Sequence, residues 1–323
     1  MMLGFRVPLP GGSLPVELPR TTRIGITGLA NSGKTVFLTS LLWQLCEFDD
    51  ADFRLGGNLR ISGWREVGAS PSRSDLFDFE KHRDALARRQ SWPEKTRDTS
   101  RFTCEFTRSD WRFFRQRLEF FDFPGERVAD ASIAACRDYA EWSEHMLRHW
   151  RSHSGYEAAT RPFLEACRDR AIGEEALLLE YRRTLARLIL EYKPLISPSV
   201  FLLDRKGSQA EGDFERLAAE RCSGLPGEEF CPLPLPARDR FPEMARRYRA
   251  YRHGVVMPLF RELLRCDRLI ALIDIPSLLA GGVGRYNDDR QIVLDLVRVL
   301  QPASTLGGRL IELLQMRARL RRL

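Results

Sequence analysis

Along the chain, hydrophobic residues recur either at the spacing of a strand or at the spacing of a helix. Both kinds of pattern occur in the first third. A short apolar run at Arg23–Gly28 ends at glycine and predicts a buried strand, whereas Thr35–Phe48 carries its apolar residues at helical spacing. A further helix is predicted at Asp75–Arg89. Phe102–Thr107 and Arg117–Asp122 predict two strands around a turn, because apolar and polar residues alternate in the first of them. The chain therefore opens as strand, loop and helix, with a strand pair further on.

Helical periodicity dominates after residue 130. Helices are predicted at residues 131–152, 157–191, 208–222 and 242–265. Arg268–Ile275 returns to the composition of a buried strand, and helices are predicted at Asn287–Leu300 and from Leu306 to the last residue. This order predicts an α/β core with a large all-helical insertion. The expected domains are a flexible leader at 1–20, the first part of the core at 21–130, the helical insertion at 131–266 and an incomplete return to the core at 267–323.

Composition narrows the class of protein. The chain has 323 residues, of which 43% are hydrophobic and 29% charged, which is ordinary for a globular protein. Its net charge of +7 comes from basic residues interleaved with acidic ones, so we expect no nucleic-acid partner and at most peripheral membrane contact. Seven scattered cysteines with no C-x-x-C pair predict buried thiols in a reducing compartment, hence a cytoplasmic protein. The Pro- and Gly-rich start, Met1–Arg20, predicts the flexible leader.

The strongest chemical signal is the segment GLANSGKT at Gly28–Thr35. It matches G-x-x-x-x-G-K-[ST] in full and lies between a predicted strand and a predicted helix. Backbone N–H groups of such a loop surround phosphate oxygens, and the N-terminal end of the following helix adds to the attraction. Lys34 would reach the β- and γ-phosphates, and the Thr35 hydroxyl would bind Mg²⁺. The expected nucleotide-binding residues here are Gly28, Asn31, Ser32, Gly33, Lys34, Thr35 and Val36.

A second signal, DFPGE at Asp122–Glu126, follows the predicted strand pair. A carboxylate at the end of a core strand can hold Mg²⁺ through water, and the Gly125 N–H can approach a γ-phosphate. D-x-x-G is also the switch II pattern of GTPases, in which the next residue orients the attacking water. Glu126 has that position here, where its carboxylate would orient or deprotonate water, or only form a salt bridge.

A switch I threonine, whose hydroxyl would bind Mg²⁺ beside a triphosphate, is expected before the strand pair. Thr96 and Thr99 both fit, and their spacing does not choose between them. Lys95, Arg97 and Arg101 are candidate cations for the transition state, although solvated charge on a loop is the better explanation for each of them.

Three histidines raise a separate question about metal binding. His145, His149 and His153 fall four residues apart on one face of a predicted helix, which is a spacing found among metal ligands. Glu141 shares the stripe, but no pattern of Cys or carboxylates completes a site. We therefore expect a histidine stripe on the surface.

Together these segments resemble the YcjX-like stress-induced P-loop GTPases. The resemblance rests on TGLANSGKT, on Trp92-Pro93 followed three residues later by Thr96, on DFPGERVAD where the family has D-[YF]-P-G-E-W-x-x-D, and on LIALIDIPSLLAGGVGRYNDD. It implies a Ras-like GTPase core with a helical insertion, binding Mg²⁺ and GTP or GDP. It assigns switch I to Thr96 and switch II to Asp122, Gly125 and Glu126.

The chain departs from this family pattern in two respects. Arg127 stands where the family usually has Trp, which leaves the packing of switch II open. The guanine-reading motif [NT]-K-x-D is absent, because none of the five lysines is followed two residues later by Asp. Either the chain is C-terminally truncated relative to the family or the base is read in another way, and truncation is the preferred explanation. Truncation would leave the strand at Leu269–Asp274 with an uncovered apolar edge.

The sequence thus predicts a Mg²⁺-dependent nucleoside triphosphatase, in the first place a GTPase that serves as a stress-related regulatory switch. The expected catalytic residues are Lys34, Thr96 and Glu126, and the expected metal ligands are Thr35, Thr96 and Asp122. An ATPase is the alternative that the missing guanine motif favours, and a non-hydrolysing nucleotide-binding module or fragment is the alternative that the incomplete core favours. The helical insertion would offer a surface for an unknown effector protein, and a homodimer could supply a catalytic cation.

Overall fold

The computed structural model describes residues 4–9, 12–17, 21–29, 32–47, 60–67, 76–93, 99–109, 111–152, 154–192 and 229–300. The chain divides into two compact units. The first consists of Met1–Gly125 with Arg265–Asp274, and the second of Glu126–Leu264 with Ile275–Leu323. Among the described residues, strands occur only in the first unit.

The first unit is built on a five-stranded mixed sheet. The strands and helices of this unit are β1 (Gly4–Leu9), β2 (Gly12–Glu17), β3 (Thr22–Gly28), α1 (Lys34–Glu47), β4 (Ile61–Glu66), α2 (Phe79–Ala87), β5 (Ser100–Arg108), β6 (Trp111–Asp122) and β7 (Arg268–Leu272). The strands β1 and β2 form a separate two-stranded sheet, and the other five form the mixed sheet. The order is β4-β5-β6-β3-β7; β3 is parallel to both of its neighbours, and β4, β5 and β6 are antiparallel. The core joins Leu38 and Leu42 of α1 to sheet residues such as Ile26, Phe102 and Phe120.

The predicted α/β character of this unit is confirmed, and most of its predicted elements agree with the observed ones within four residues. Two differ: β6 begins at Trp111, six residues before the predicted Arg117, and the sequence pattern predicts no strand at the position of β4. The leader differs from expectation, because β1 and β2 pair antiparallel from Gly4↔Glu17 to Leu9↔Gly12. The sequence carries a hairpin signal that the abundance of Pro and Gly obscured. Apolar residues alternate at Phe5, Val7 and Leu9, and a Pro-Gly dipeptide, a common turn former, follows them.

The second unit is helical throughout its described part. Its helices are α3 (Ala131–Ala135), α4 (Tyr139–Trp150), α5 (Ser154–Ala166), α6 (Glu174–Tyr192), α7 (Leu235–Arg238), α8 (Pro242–Tyr251), α9 (Met257–Leu264), α10 (Ile275–Ala280) and α11 (Gly282–Leu300). A 3₁₀-helix at Gly125–Asp130 precedes α3, and a π-helix at Arg252–Val256 joins α8 to α9. The helices predicted at 208–222 and after Leu306 lie outside the described residues.

Two predicted helices are each observed as two: the one at 157–191 is α5 and α6, and the one at 131–152 is α3 and α4. Capping explains the second case. The stretch predicted at 131–152 is interrupted before Tyr139, where Asp138 caps α4 by accepting a hydrogen bond from the Glu141 N–H over 2.9 Å. The Glu141 carboxylate in turn accepts from the Arg137 N–H over 2.9 Å. The Arg137 side chain also donates to this carboxylate, from Nε over 3.0 Å. The backbone and side-chain hydrogen bonds from Arg137 lower the pKa of Glu141 below its ordinary value. Two satisfied backbone donors make this position a stable helix start.

The π-helix keeps one apolar face continuous across α8 and α9. Buried residues follow at intervals of three and four along each helix but at an interval of five between Tyr251 and Val256, as the series Met244, Tyr248, Tyr251, Val256, Phe260 and Leu263 shows. A π-turn accommodates one extra residue without unwinding the helix. The extra residue therefore lets both helices bury the same face.

Aromatic rings form the core of the second unit. Trp142 contacts Tyr248 and Phe230 with ring centroids 5.3 and 5.4 Å apart, and the Tyr139 hydroxyl donates to the Cys231 carbonyl over 2.6 Å. Burial raises the pKa of the Tyr139 and Tyr248 hydroxyls above their ordinary value. Folding therefore favours the neutral phenols. The stability of the fold is therefore unaffected by the ionisation of these two hydroxyls below the ordinary tyrosine pKa. It falls as the pH rises above that value, because the unfolded chain then loses the phenol protons more readily than the folded one.

Most cysteines are buried thiols. Among the described ones, Cys104, Cys136, Cys167 and Cys231 are buried and none forms a disulfide. Burial raises the pKa of Cys104, Cys136 and Cys167 to about 12, so these thiols stay protonated at neutral pH. Protonated thiols are poor nucleophiles and poor metal ligands. Cys222 lies outside the described residues.

The histidine stripe is largely buried between helices, which corrects the expectation of a surface stripe. His149 Nε2 contacts Asp288 Oδ1 on α11, and Tyr156 of α5 donates to the other oxygen of the same carboxylate. His145 Nε2 lies 2.9 Å from Asp295 Oδ2. Buried polar side chains need such partners, because an unpaired one costs about 1–3 kcal/mol. His153 lies outside the described residues.

Removing the Asp288 carboxylate is expected to destabilise the second unit markedly. Asp288 is fully buried, and Asp288→Ala leaves both His149 and Tyr156 without this acceptor. We expect a loss of about 3 kcal/mol in the free energy of unfolding, measured by urea denaturation with tryptophan fluorescence. The matched control is Glu144→Ala on the same helix as His149, since Glu144 is exposed and pairs with Arg238 over 3.3 Å. Equal losses in the two variants would contradict this account.

No helix in the described part of the chain is long and apolar enough to cross a bilayer.

Candidate functional site

The described residues of the glycine-rich segment connect a strand to a helix, which is the context that its motif predicts. Gly28 ends β3 and Lys34 begins α1, and Ser32 N–H donates to the Leu29 carbonyl over 3.2 Å. Gly33 has φ +81°, a left-handed conformation that glycine adopts without steric cost. The described residues therefore lead from the end of β3 into the N-terminal end of α1. Ala30 and Asn31 lie outside the described residues.

Lys34 is folded back over this loop. Its Nζ donates to the carbonyl oxygens of Gly28 over 3.0 Å and of Leu29 over 2.8 Å, and the residue is only 8% exposed. An ammonium group is a compact point charge with three donors. The charge of Lys34 is thus held at the loop that would receive phosphates.

Gly28 also contacts the neighbouring strand of the sheet, β7. It pairs with Leu272 of β7 in the parallel register and has φ +144°. A Cβ atom built on Gly28 would lie 2.1 Å from the Leu272 carbonyl oxygen. Only glycine fits this position, because any side chain would overlap backbone rather than a movable side chain.

Asp122 lies beside the loop on the neighbouring strand. It ends β6, is fully buried, and pairs in register with Ile26 of β3, two residues before Gly28. The following residue continues the contact, since Phe123 N–H donates to the Ile26 carbonyl over 2.9 Å. The carboxyl ends of adjacent parallel strands are where open α/β sheets bind ligands. The structure thus brings Asp122 and the glycine-rich loop to the same edge of the sheet.

The switch I candidates are only partly described. Thr99 directly precedes Ser100, which pairs with Asp122 in the antiparallel ladder of β5 and β6. Thr99 is therefore placed at the same sheet edge as Asp122. Thr96, Lys95 and Arg97 lie outside the described residues, whereas Arg101 pairs with Glu119 over 3.2 Å within the sheet. That ion pair favours a structural role for Arg101.

The switch II segment forms one continuous 3₁₀-helix. It begins at Gly125, which is buried, and ends at Asp130. The backbone of Glu126 belongs to this helix, whereas its side chain lies outside the description. Arg127, which departs from the family pattern, contacts the Tyr251 hydroxyl over 3.3 Å and lies 3.8 Å from Asp130. Arg127 thus forms polar contacts at the position where the resemblance implies an aromatic side chain.

Sequence patterns did not single out two hydroxyl groups at this edge of the sheet. Thr27 precedes Gly28, and Ser100 is opposite Asp122; both hydroxyls are buried without a hydrogen-bond partner in the described part of the chain. Ser32 Oγ of the loop is buried in the same way. Small hydroxyl residues in a strand or loop carry no distinctive spacing, so only the three-dimensional register reveals them.

Oxygen ligands suited to Mg²⁺ are present at this edge. Thr35 supplies a hydroxyl in the first turn of α1, and Asp122 supplies a buried carboxylate. Mg²⁺ prefers oxygen donors and is usually held by one or two protein groups together with substrate phosphates. The donor chemistry of these two residues therefore fits the ion. Among the described residues, no group of three or more His, Cys, Asp or Glu is suited to hold a metal by itself.

Comparison with known proteins decides the family. The sequence matches the family model described as "YcjX-like family, DUF463" over residues 22–317. The chain belongs to the YcjX-like family. The resemblance that the sequence motifs carry is thereby confirmed. The match includes the glycine-rich loop, the switch II segment and the described helices of the YcjX-like chain.

Two curated relatives extend this finding. The chain is 27% identical over 311 residues to the "Ras-like GTPase YcjX" of Escherichia coli (strain K12), covering 86% of this chain and 63% of that protein. It is 23% identical over 309 residues to the "Ras-like GTPase YcjX" of Shewanella oneidensis (strain MR-1), covering 83% of this chain and 61% of that protein. This YcjX-like chain therefore spans less than two thirds of the length of these relatives.

Proposed function

We propose that the chain binds and hydrolyses a nucleoside triphosphate with the help of Mg²⁺, and that the nucleotide is GTP. The observation that carries the proposal is the placement of Lys34 and Asp122 at one sheet edge: Lys34 begins the helix after the glycine-rich loop, and Asp122 ends the adjacent parallel strand. The names of the two curated relatives support a GTPase.

In this proposal each residue has a limited task. The loop N–H groups and Lys34 bind the phosphates, Thr35 and Asp122 hold Mg²⁺, and Thr96 joins them when a triphosphate is present. An Mg²⁺ ion held by these residues would supply positive charge to the phosphates. Gly125 presents its N–H to the γ-phosphate, and Glu126 orients the attacking water. Binding and orientation supply most of the rate in phosphoryl transfer, so little covalent chemistry is required of the protein.

Base recognition separates the proposed GTPase from its alternatives. The sequence holds no [NT]-K-x-D motif, which favours an ATPase as the second candidate. A nucleotide-binding module without turnover is the third. Each alternative differs from the proposal in an observable way. An ATPase would prefer adenine to guanine, and a module without turnover would release no phosphate.

The helical unit is the proposed site of regulation. The 3₁₀-helix that begins at Gly125 leads directly into its first helix, so a change at switch II has a continuous path along the chain. We assign the role of the helical insertion to the stretch 131–266 expected from the sequence, nearly all of which belongs to this unit, and propose an effector protein as its partner. The unit also contains Ile275–Leu323, which the sequence pattern assigns to the core. A stress-related switch, a homodimer and a cytoplasmic location complete the proposal on the strength of the family resemblance and the composition.

Nucleotide competition tests the proposal directly. Fluorescent GDP and fluorescent ADP are titrated with the full chain in the presence of Mg²⁺, and phosphate release from GTP and ATP is followed in parallel. We expect GDP to bind at least about tenfold more tightly than ADP, a difference of about 1.4 kcal/mol. A preference for ADP would establish the ATPase. Binding without phosphate release would establish the module, and no binding of either nucleotide would refute all three.

A further inference from the structure

A hydrogen-bonded triangle holds the residues that follow Gly125, and we call it the Arg127–Asp130–Tyr251 latch. The Tyr251 hydroxyl donates to Asp130 Oδ2 over 3.0 Å, and Arg127 Nη1 donates to the same hydroxyl over 3.3 Å. Arg127 Nη1 also lies 3.8 Å from Asp130 Oδ2. Each member therefore contacts both of the others, and all three belong to the second unit.

The orientation of Asp130 is unusual for its place in the chain. Asp130 is the N-cap residue of α3, where a carboxylate ordinarily accepts hydrogen bonds from the first turn of its own helix. Its side chain makes no such bond and is fully buried against Tyr251. The carboxylate thus ties the end of the 3₁₀-helix to α8. Arg127, only 24% exposed, supplies a positive charge near the buried negative one.

Tyr251 occupies a distinctive position in turn. It is the last residue of α8, and the π-helix begins at the next residue. The neighbouring Arg252 donates from Nε to the Ile133 carbonyl of α3 over 3.2 Å. The π-helix is therefore joined to the chain on the far side of Asp130 as well. Single π-turns occur preferentially at functional sites.

We infer that Asp130 and Tyr251 are positioning residues for nucleotide hydrolysis. Gly125–Asp130 is one continuous 3₁₀-helix, so fixing its end at Asp130 restricts the backbone at Gly125 and Glu126. The latch thereby limits the conformations of the segment that carries the Gly125 N–H and the Glu126 side chain. The inference rests on the proposed function. With this role, residues of the second unit contribute to turnover in addition to the effector surface proposed above.

Tyr251→Phe tests this role because it removes only the hydroxyl. The ring stays in place against Phe230, whose centroid is 5.7 Å away. We expect kcat for phosphate release to fall about tenfold to a hundredfold while KM and the affinity for the diphosphate stay within about twofold. The matched control is Tyr248→Phe, on the same helix and also buried, whose hydroxyl donates to the Ile133 carbonyl over 3.3 Å and not to Asp130. It should lower the melting temperature by a similar amount and leave kcat unchanged.

A second variant separates positioning from general loss of structure. Asp130→Asn keeps an acceptor for Tyr251 but removes the charge near Arg127, and we expect a smaller fall in kcat. In the double variant with Tyr251→Phe, the fall should not exceed that of the worse single change, because both act through one contact.

The outcomes distinguish the latch from the function on which it rests. A wild-type chain that turns over while Tyr251→Phe keeps the wild-type kcat overturns the latch alone. An equal fall in kcat for Tyr248→Phe reduces Tyr251 to a structural role and also overturns it. A wild-type chain without any nucleotide hydrolysis overturns the proposed function and the latch together.

Discussion

A Lys34→Ala chain is expected to bind nucleoside triphosphates at least about a hundredfold more weakly than the wild type and to show no measurable turnover. Lys34 is the one residue of the loop that carries a positive charge, and its Nζ is already held by the Gly28 and Leu29 carbonyls. The alanine removes that charge from the loop where the phosphates are expected. Titration with a fluorescent, non-hydrolysable GTP analogue and a phosphate-release assay measure the two effects.

The control for this change is Lys81→Ala. Lys81 is an exposed residue of α2, and the substitution also removes one positive charge, so the net charge of the two variants is the same. Lys81→Ala should bind nucleotide as the wild type does. If Lys34→Ala binds nucleotide with wild-type affinity while both variants remain folded by circular dichroism, the phosphate-binding role of the loop is wrong.

Gly28→Ala is expected to cause the largest loss of stability in the first unit. The new Cβ would lie 2.1 Å from the Leu272 carbonyl oxygen, and φ +144° is strained for any L-amino acid with a side chain. Relief requires β7 to move away from β3. We expect the free energy of unfolding to fall by about 3 kcal/mol or more, since steric overlap and backbone strain add. Urea denaturation measures the loss.

Gly33→Ala is the matched comparison within the same loop. Gly33 also has a positive φ, +81°, but nothing lies within 4 Å of a Cβ built on it. Its substitution carries only the backbone strain, about 1–2 kcal/mol. The stability difference between the two variants thus isolates the contact with β7. Equal losses would show that the strand contact contributes nothing.

The site could be predicted from the sequence where its residues are adjacent in the chain. The loop Gly28–Thr35 and the switch II segment after Asp122 each combine a local motif with a strand of clear periodicity. Local motifs determine local backbone, and parallel pairing then brings strand ends together. This is why two short patterns, although far apart in the chain, meet at one edge of the sheet.

Contacts between distant segments could not be predicted in the same way. The four-residue spacing of His145 and His149 indicates a shared helix face, but nothing in that spacing reveals that the face is largely buried. Their partners Asp295 and Asp288 lie 150 and 139 residues further along the chain. Tyr251 is likewise 121 residues from Asp130. A single sequence carries no signal for pairing at such separations.

The leader shows a different limit. Proline and glycine are turn formers as well as breakers of regular structure, so the same residues fit a flexible segment and a hairpin. Only the alternation on either side of the turn distinguishes the two, and the paired strands β1 and β2 follow that alternation.

The division of the second unit into two stretches has a consequence for how the chain is made. Glu126–Leu264 leaves the ribosome before Ile275–Leu323, yet His149 and Tyr156 depend on Asp288 of the later stretch. Until α11 has been synthesised, these groups have no such acceptor, and the early helices face water with an incomplete core. At about 5–20 residues per second, synthesis of the 132 residues from Tyr156 to Asp288 takes about 7–26 seconds, during which a nascent chain is most exposed to chaperones and proteases.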